Sequence, residues 1–163
     1  MSILITGSTG FIGAPLAIKL AESGQTIHAL YRSEEKKRFL KHPNIKFFRG
    51  DILDANSLKN AMDGCENVYH VAAYTKIWTK NENEIYNLNV TGTKNVLDTA
   101  VQLGIKKVLF TSTAGIIGPS RNEKVNEKTE RFTNYFLEYE KTKAEAEQLI
   151  KSYLNNNLEV TIV

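Results

Sequence analysis

Apolar residues enter this chain in two rhythms. Short runs in which β-branched, aromatic and other apolar side chains predominate predict six strands: Ile3-Leu4-Ile5, Thr26 to Tyr31, Ile45 to Phe48, Val68 to Val71, Lys107 to Thr111 and Glu159 to Val163. Between them, longer amphipathic stretches predict helices near 11–23, 54–62, 84–103 and 135–156, with a shorter one near 33–41. Strand and helix alternate throughout, the pattern of an α/β fold: a doubly wound parallel sheet of about six strands with helices on both faces. Several runs are almost continuously apolar, as suits strands covered on both sides. Residues 118–134 are polar and lack periodicity, so they read as one long loop of the kind that often carries function.

The 163 residues fit one domain, 1–163, with a core large enough to need no disulfide staples. The run ending at Val163 reads as a buried strand rather than a frayed polar tail, so the chain is expected to be part of a longer protein. A formal charge of +3, from 21 basic and 18 acidic side chains without a dense basic run, does not fit a nucleic-acid partner. Cys65 is the single cysteine, and His28, His42 and His70 show no ligand spacing with it. No metal site is expected, and a reducing compartment is. With an opening apolar run too short for a leader and no stretch near 18 apolar residues, the expectation is a cytoplasmic protein without membrane contact.

The first chemistry appears where the first strand gives way to the first helix, at Thr6-Gly7-Ser8-Thr9-Gly10-Phe11-Ile12-Gly13. Gly7 permits a tight turn, Gly10 lets a pyrophosphate approach the backbone, and Gly13 lets the helix pack close to the sheet. The amino terminus of that helix offers N–H groups and a positive dipole end to the phosphates. The spacing reads as a cradle for a dinucleotide.

The end of the second strand would carry an acid if the ligand were NAD, to hold the ribose 2′-hydroxyl. Tyr31 stands there instead, followed by Arg32 and Ser33, a guanidinium and a hydroxyl suited to the 2′-phosphate of NADP. NADP is therefore the expected cofactor, with NAD the alternative. Asp51, after the third strand, could accept from the adenine amino group or cap the helix that starts near Asp54.

Of the seven tyrosines, Tyr139 alone has a lysine four residues on, Lys143, which places the two on one helix face. The fifth strand runs into Thr111-Ser112-Thr113-Ala114-Gly115, at the end of the sheet where such folds bind ligands. Hydride transfer between nicotinamide and a carbonyl or alcohol also requires a proton on the substrate oxygen. A phenol of pKa about 10 needs roughly 4 kcal/mol of preferential phenolate stabilisation to reach about 7, which Lys143 and an oxidised nicotinamide would supply. Thr113 would orient the substrate oxygen, with Ser112 as the alternative hydroxyl.

Taken together, these motifs resemble the extended short-chain dehydrogenase/reductase family, also described as the NAD-dependent epimerase/dehydratase family. The resemblance spans the chain. It implies a Rossmann domain in which Gly7, Thr9, Gly10, Phe11, Ile12 and Gly13 form the glycine motif. Asp51 and Ile52 of Gly50-Asp51-Ile52-Leu53 fall at the adenine contact, and Ala72 and Ala73 of His70-Val71-Ala72-Ala73 fall beside the cofactor. Asn89 opens the central helix motif that runs to Leu97, and Thr113, Tyr139 and Lys143 fall where the catalytic triad falls, Tyr139 and Lys143 also reaching the cofactor. Tyr31-Arg32 and Thr111 to Gly115 look most like the dihydroflavonol reductase-like and 3β-hydroxysteroid dehydrogenase-like branch. The implied activity is NADP-dependent transfer of hydride to or from a ketone or secondary alcohol of a small-molecule substrate. Sugar-nucleotide epimerases and dehydratases share the frame, as would a non-catalytic NADP-binding module. Family members continue into a smaller substrate-binding domain that this chain lacks, and they dimerise through helices like those near 84–103 and 135–156, so a homodimer is implied.

Overall fold

The computed structural model describes residues 1–38, 40–76, 79, 81–120, 122–154 and 158–163. Its six strands are β1 (Ser2–Thr6), β2 (Thr26–Tyr31), β3 (Ile45–Arg49), β4 (Asn67–His70), β5 (Lys107–Phe110) and β6 (Glu159–Ile162). All pair in parallel in the order β3-β2-β1-β4-β5-β6. The order reverses between β1 and β4, where Thr6 stands opposite His70. At such a reversal the loops leaving the two strands part and open a crevice at their carboxyl ends.

The helices are α1 (Gly13–Glu22), α2 (Glu34–Lys37), α3 (Ala55–Met62), α4 (Glu82–Tyr86), α5 (Gly92–Gln102) and α6 (Glu138–Lys151). Because side chains alternate along a strand, β1 sends Ile3 and Ile5 to one face and Leu4 to the other. Ile3 and Ile5 join Ile27, Ala29 and Ile45 against Ala17 and Ala21 of α1. Leu4 joins Val68, Val108 and Phe110 against Leu58 and Met62 of α3, Val96 and Leu97 of α5, and Ala146 and Ile150 of α6. Both faces of the sheet are therefore covered, and the central positions of β1 are apolar on both sides.

Three helix boundaries depart from the periodicity. α1 begins at Gly13 rather than near 11, and Phe11 is left 98% exposed, because the preceding residues are used as a phosphate-type turn. α4 and α5 are joined by a π-helical turn, Asn87–Thr91, in place of one unbroken helix. α6 starts at Glu138 instead of near 135, since Tyr135 and Phe136 are drawn onto the guanidinium of Arg131. The short helix near 33–41 is a single turn, and the helix expected to reach 156 ends at Lys151, its last carbonyls met by a turn that starts at Ser152.

Candidate functional site

A cleft of about 530 Å3 opens at the carboxyl ends of β1, β2, β3 and β4. Gly7, Thr9, Gly10, Phe11, Ile12, Gly13, Tyr31, Arg32, Asp51, Ile52, Ala72 and Ala73 line it, as does Ser33. The topology thus gathers residues from distant segments of the chain into one concave surface.

The glycine turn is shaped by contacts that leave no room for side chains. Gly7 has φ of +68°, a left-handed conformation, and a Cβ there would meet the backbone nitrogen of Ala72 at 2.7 Å. At Gly13 a Cβ would stand 2.1 Å from the carbonyl oxygen of Gly7, so this position lets α1 close onto the end of β1. Ser8 turns inward, donating to the carbonyl of Leu30 at 2.8 Å, which ties the turn to β2. No side chain caps α1 and no acid stands in its first turn, whereas Asp54 caps α3 and Asn81 caps α4. The exposed backbone donors at the start of α1 therefore face the cleft with no anionic competitor of their own, which suits a bound pyrophosphate.

Past β2, Arg32 and Ser33 stand on the rim together with Lys36, a second cation that the sequence did not single out. Tyr31 directs its hydroxyl away to Glu34, at 2.5 Å. Asp51 accepts from the backbone of Leu53 at 3.0 Å and pairs with Arg32 at 3.4 Å. Its helix-capping alternative falls to Asp54, which accepts from the Asn56 backbone at 2.9 Å. Gly50 and Val71, which flank the residues singled out in their motifs, and Leu30, Thr75 and Leu88, which stood in none, complete the lining.

Asn89 does not face this cleft. It is 1% exposed, its amide oxygen accepts from the Tyr74 backbone at 2.7 Å, and its amide nitrogen donates to Thr142 at 3.0 Å. The residue supports the wall from behind and ties the π-helical turn to α6.

Behind β4 lies a directed chain of hydrogen bonds. Thr93 donates to the Asn89 carbonyl at 2.6 Å, so its oxygen accepts from Nε2–H of His70 at 3.0 Å. The Nδ1 atom of the neutral ring then accepts from Thr6 at 2.7 Å, and Thr6 accepts from the Ala72 backbone at 3.2 Å. Burial, reinforced by the charge of Lys143, pulls the His70 pKa down to about 3. The ring is a fixed neutral strut between the glycine turn and the central helix.

Thr113, Tyr139 and Lys143 lie beyond the cleft lining, on the loop after β5 and on α6. Thr113 accepts from the Gly115 backbone at 3.1 Å, which leaves its own O–H to donate elsewhere, while Ser112 has its Oγ buried without a partner. Lys143 is 2% exposed; its Nζ donates to the Thr111 carbonyl at 2.6 Å and lies 3.8 Å from the centre of the Phe110 ring. Burial lowers its pKa to about 7, against a smaller opposing pull from Glu147. Tyr139 is half-buried, one helical turn before it.

The sequence model of the 3-beta hydroxysteroid dehydrogenase/isomerase family matches residues 4–161. The chain belongs to this family. Sterol demethylase protein B of Methylococcus capsulatus is 32% identical over 164 residues, covering 100% of this chain and 50% of that protein. Dihydroflavonol 4-reductase of Solanum lycopersicum is 29% identical over 134 residues, covering 76% of this chain and 35% of that protein. In fold, the UDP-glucose 4-epimerase of Thermus thermophilus, solved with NAD, superposes with a TM-score of 0.87 at 26% identity. That match covers 99% of this chain and 54% of the epimerase. The chain thus spans about half, or less, of the relatives it matches. Within this family of extended short-chain dehydrogenases/reductases the doubly wound sheet with its glycine turn is the nucleotide-binding frame. Among the described residues, no helix is long and apolar enough to cross a membrane.

Proposed function

We propose that the protein to which this chain belongs is an NADP-dependent oxidoreductase acting on a ketone or secondary alcohol, in the manner of the dihydroflavonol reductases. The observation that carries this reading is Lys143, an amine buried at the carboxyl end of β5 one turn from Tyr139. Burying a charged amine works against the fold, and perturbed amines of this kind gather at sites of proton chemistry.

When bound, NADP supplies the hydride acceptor, and NADPH the donor. Gly7, Gly10 and the start of α1 would hold the pyrophosphate, Arg32 and Ser33 the 2′-phosphate, with Lys36 adding charge. Tyr139 gives a proton to the carbonyl oxygen during reduction and takes one from the alcohol in the reverse direction. Protonated Lys143 favours the phenolate and so brings the phenol closer to neutrality. Thr113 donates a hydrogen bond to the same substrate oxygen and fixes its direction.

Turnover of NADPH with a panel of aromatic and alicyclic ketones by the full-length protein tests this. Tyr139→Phe is expected to abolish turnover; wild-type turnover in that variant would overturn the assignment. The likeness to a UDP-glucose 4-epimerase that carries NAD supports a second reading, in which a tightly held cofactor is reduced and reoxidised within one cycle. Cofactor that co-purifies and shows no net consumption with ketones would favour it.

A further inference from the structure

The loop between β5 and α6 is organised around one side chain. Arg131 donates from Nε to the Thr133 carbonyl at 2.9 Å and from Nη2 to the Asn134 carbonyl at 2.8 Å. Its Nη1 reaches back to the carbonyl of Gly115, in the 3-10 turn Ala114–Ile116 that Thr113 caps. Nη2 also pairs with Glu140 at 3.1 Å, and the two side chains are only 8% and 16% exposed. Glu140 in turn accepts from the Phe136 backbone at 3.2 Å. The rings of Tyr135 and Phe136 lie 4.5 and 5.5 Å from the guanidinium carbon. Gly118, at φ of +80°, leaves the space this requires: a Cβ there would stand 3.0 Å from Nη1.

A buried ion pair is a weak stabiliser, because removing two charges from water costs about as much as their attraction returns. Its other effect is geometric: the guanidinium is a planar fork whose donors point in fixed directions, so every acceptor it satisfies is held in register with the others. Besides the carbonyls of Thr133 and Asn134 in its own loop, the acceptors belong to two places. One is the turn that begins at Thr113; the other is Glu140, the neighbour of Tyr139.

We propose that Arg131 and Glu140 are positioning residues that lock the turn carrying Thr113 to the first turn of α6 carrying Tyr139, setting the spacing of the two hydroxyls that meet the substrate oxygen. This rests on the oxidoreductase reading above. Neither residue lines the cofactor cleft, so the pair acts on the chemical step and leaves cofactor binding alone. A misplacement of about 1 Å at reacting groups can cost on the order of a hundredfold in rate.

The test compares Arg131→Lys, Arg131→Met and Glu140→Gln in the full-length protein, with NADPH and the ketone panel. Arg131→Met strands a buried carboxylate, whereas near-isosteric Glu140→Gln keeps an amide oxygen in place to accept from Arg131 and from the Phe136 backbone, so it is the milder variant. In the folded variants we expect kcat to fall by tenfold or more, with the KM for NADPH within twofold and NADPH binding at wild-type stoichiometry. Amide hydrogen exchange should quicken at residues 114–118 and 138–140. Arg131→Lys keeps the charge but not the fork and should remain slow. A kcat within twofold of wild type in Glu140→Gln, full rescue by lysine, or unchanged exchange in both segments would overturn the proposal. If the wild-type protein turned over none of the ketones, the functional reading would fail, and the exchange measurement would decide the clamp by itself.

Discussion

Arg32, just past β2, reaches Asp51, just past β3, with Nη1 3.4 Å from Oδ2 across the rim of the cofactor cleft. The side chains are 66% and 35% exposed, and an ion pair so open to water contributes little to stability. The guanidinium is therefore at liberty to turn onto a phosphate. Arg32→Ala should weaken NADPH binding by about tenfold to a hundredfold, the equivalent of losing a charge-assisted hydrogen bond of about 1.5–3 kcal/mol. NADH binding should change far less. Calorimetric titration of both cofactors checks this, and equal losses for the two would mean that Arg32 does not read the 2′-phosphate.

Gly10 and Gly13 serve the cradle differently, and alanine separates them. At Gly13 a Cβ would sit 2.1 Å from the oxygen and 2.8 Å from the carbon of the Gly7 carbonyl, backbone atoms with nowhere to go. Gly13→Ala should cost about 1–3 kcal/mol of stability, as overpacking does, and lose the cofactor as well. At Gly10 the nearest atom to a Cβ is the same oxygen at 3.2 Å, a contact that a small shift relieves. Gly10→Ala should melt close to wild type yet bind cofactor poorly, because its methyl group stands where the pyrophosphate approaches. Thermal melts read beside cofactor titrations give the answer, and a larger melting loss at Gly10 than at Gly13 would refute it.

These glycines were legible in the sequence because their requirement is local: a strand, a turn and a helix within a dozen residues. The sheet was legible for a related reason, since its short apolar runs alternate with longer amphipathic stretches. What stayed hidden depends on partners distant in the chain. The pairing of Arg32 with Asp51 follows from the neighbouring of β2 and β3, which no spacing announces. The π-helical turn at Asn87–Thr91 is a change of hydrogen-bond register and leaves no mark on composition. Helical spacing puts Lys143 on one face with Tyr139 but says nothing of its burial against Phe110 and the Thr111 carbonyl. Arg131 sat in a polar loop with no periodicity to betray that its side chain is the loop's core.

His70 makes an acid-sensitivity prediction. Its folded pKa of about 3 lies below the ordinary 6.5, so between these values the unfolded chain binds more protons than the folded one. Stability from this group is present above pH 6.5 and is lost progressively as the pH falls towards 3. His70→Gln should flatten that part of the stability–pH curve, measured by urea melts. At pH 7 it should also cost about 1–3 kcal/mol, because Thr6 and Thr93 lose a buried partner. A variant that kept the wild-type slope between pH 6.5 and 3 would remove His70 as its source.

Lys143 shows the opposite balance, a residue whose burial opposes the fold that holds it. Its pKa falls from 10.5 to about 7 on folding, so between these values the unfolded chain again binds the extra proton. Stability therefore rises with pH from about 7 to 10.5, and the cost of burying the charge is fully present below pH 7. Lys143→Met keeps much of the apolar stem and removes the charge. Its melting temperature at pH 6 should equal or exceed that of the wild type, and the rise in stability above pH 7 should vanish. Turnover, in contrast, should fall by tenfold or more at pH 6, where Lys143 is charged and Tyr139 loses the cation that favours its phenolate. A variant several degrees less stable at pH 6 would mean that the hydrogen bond to Thr111 and the contact with the Phe110 ring outweigh the desolvation of the amine. Lys143 would then be a structural pin first, and its place beside Tyr139 would no longer argue for proton chemistry.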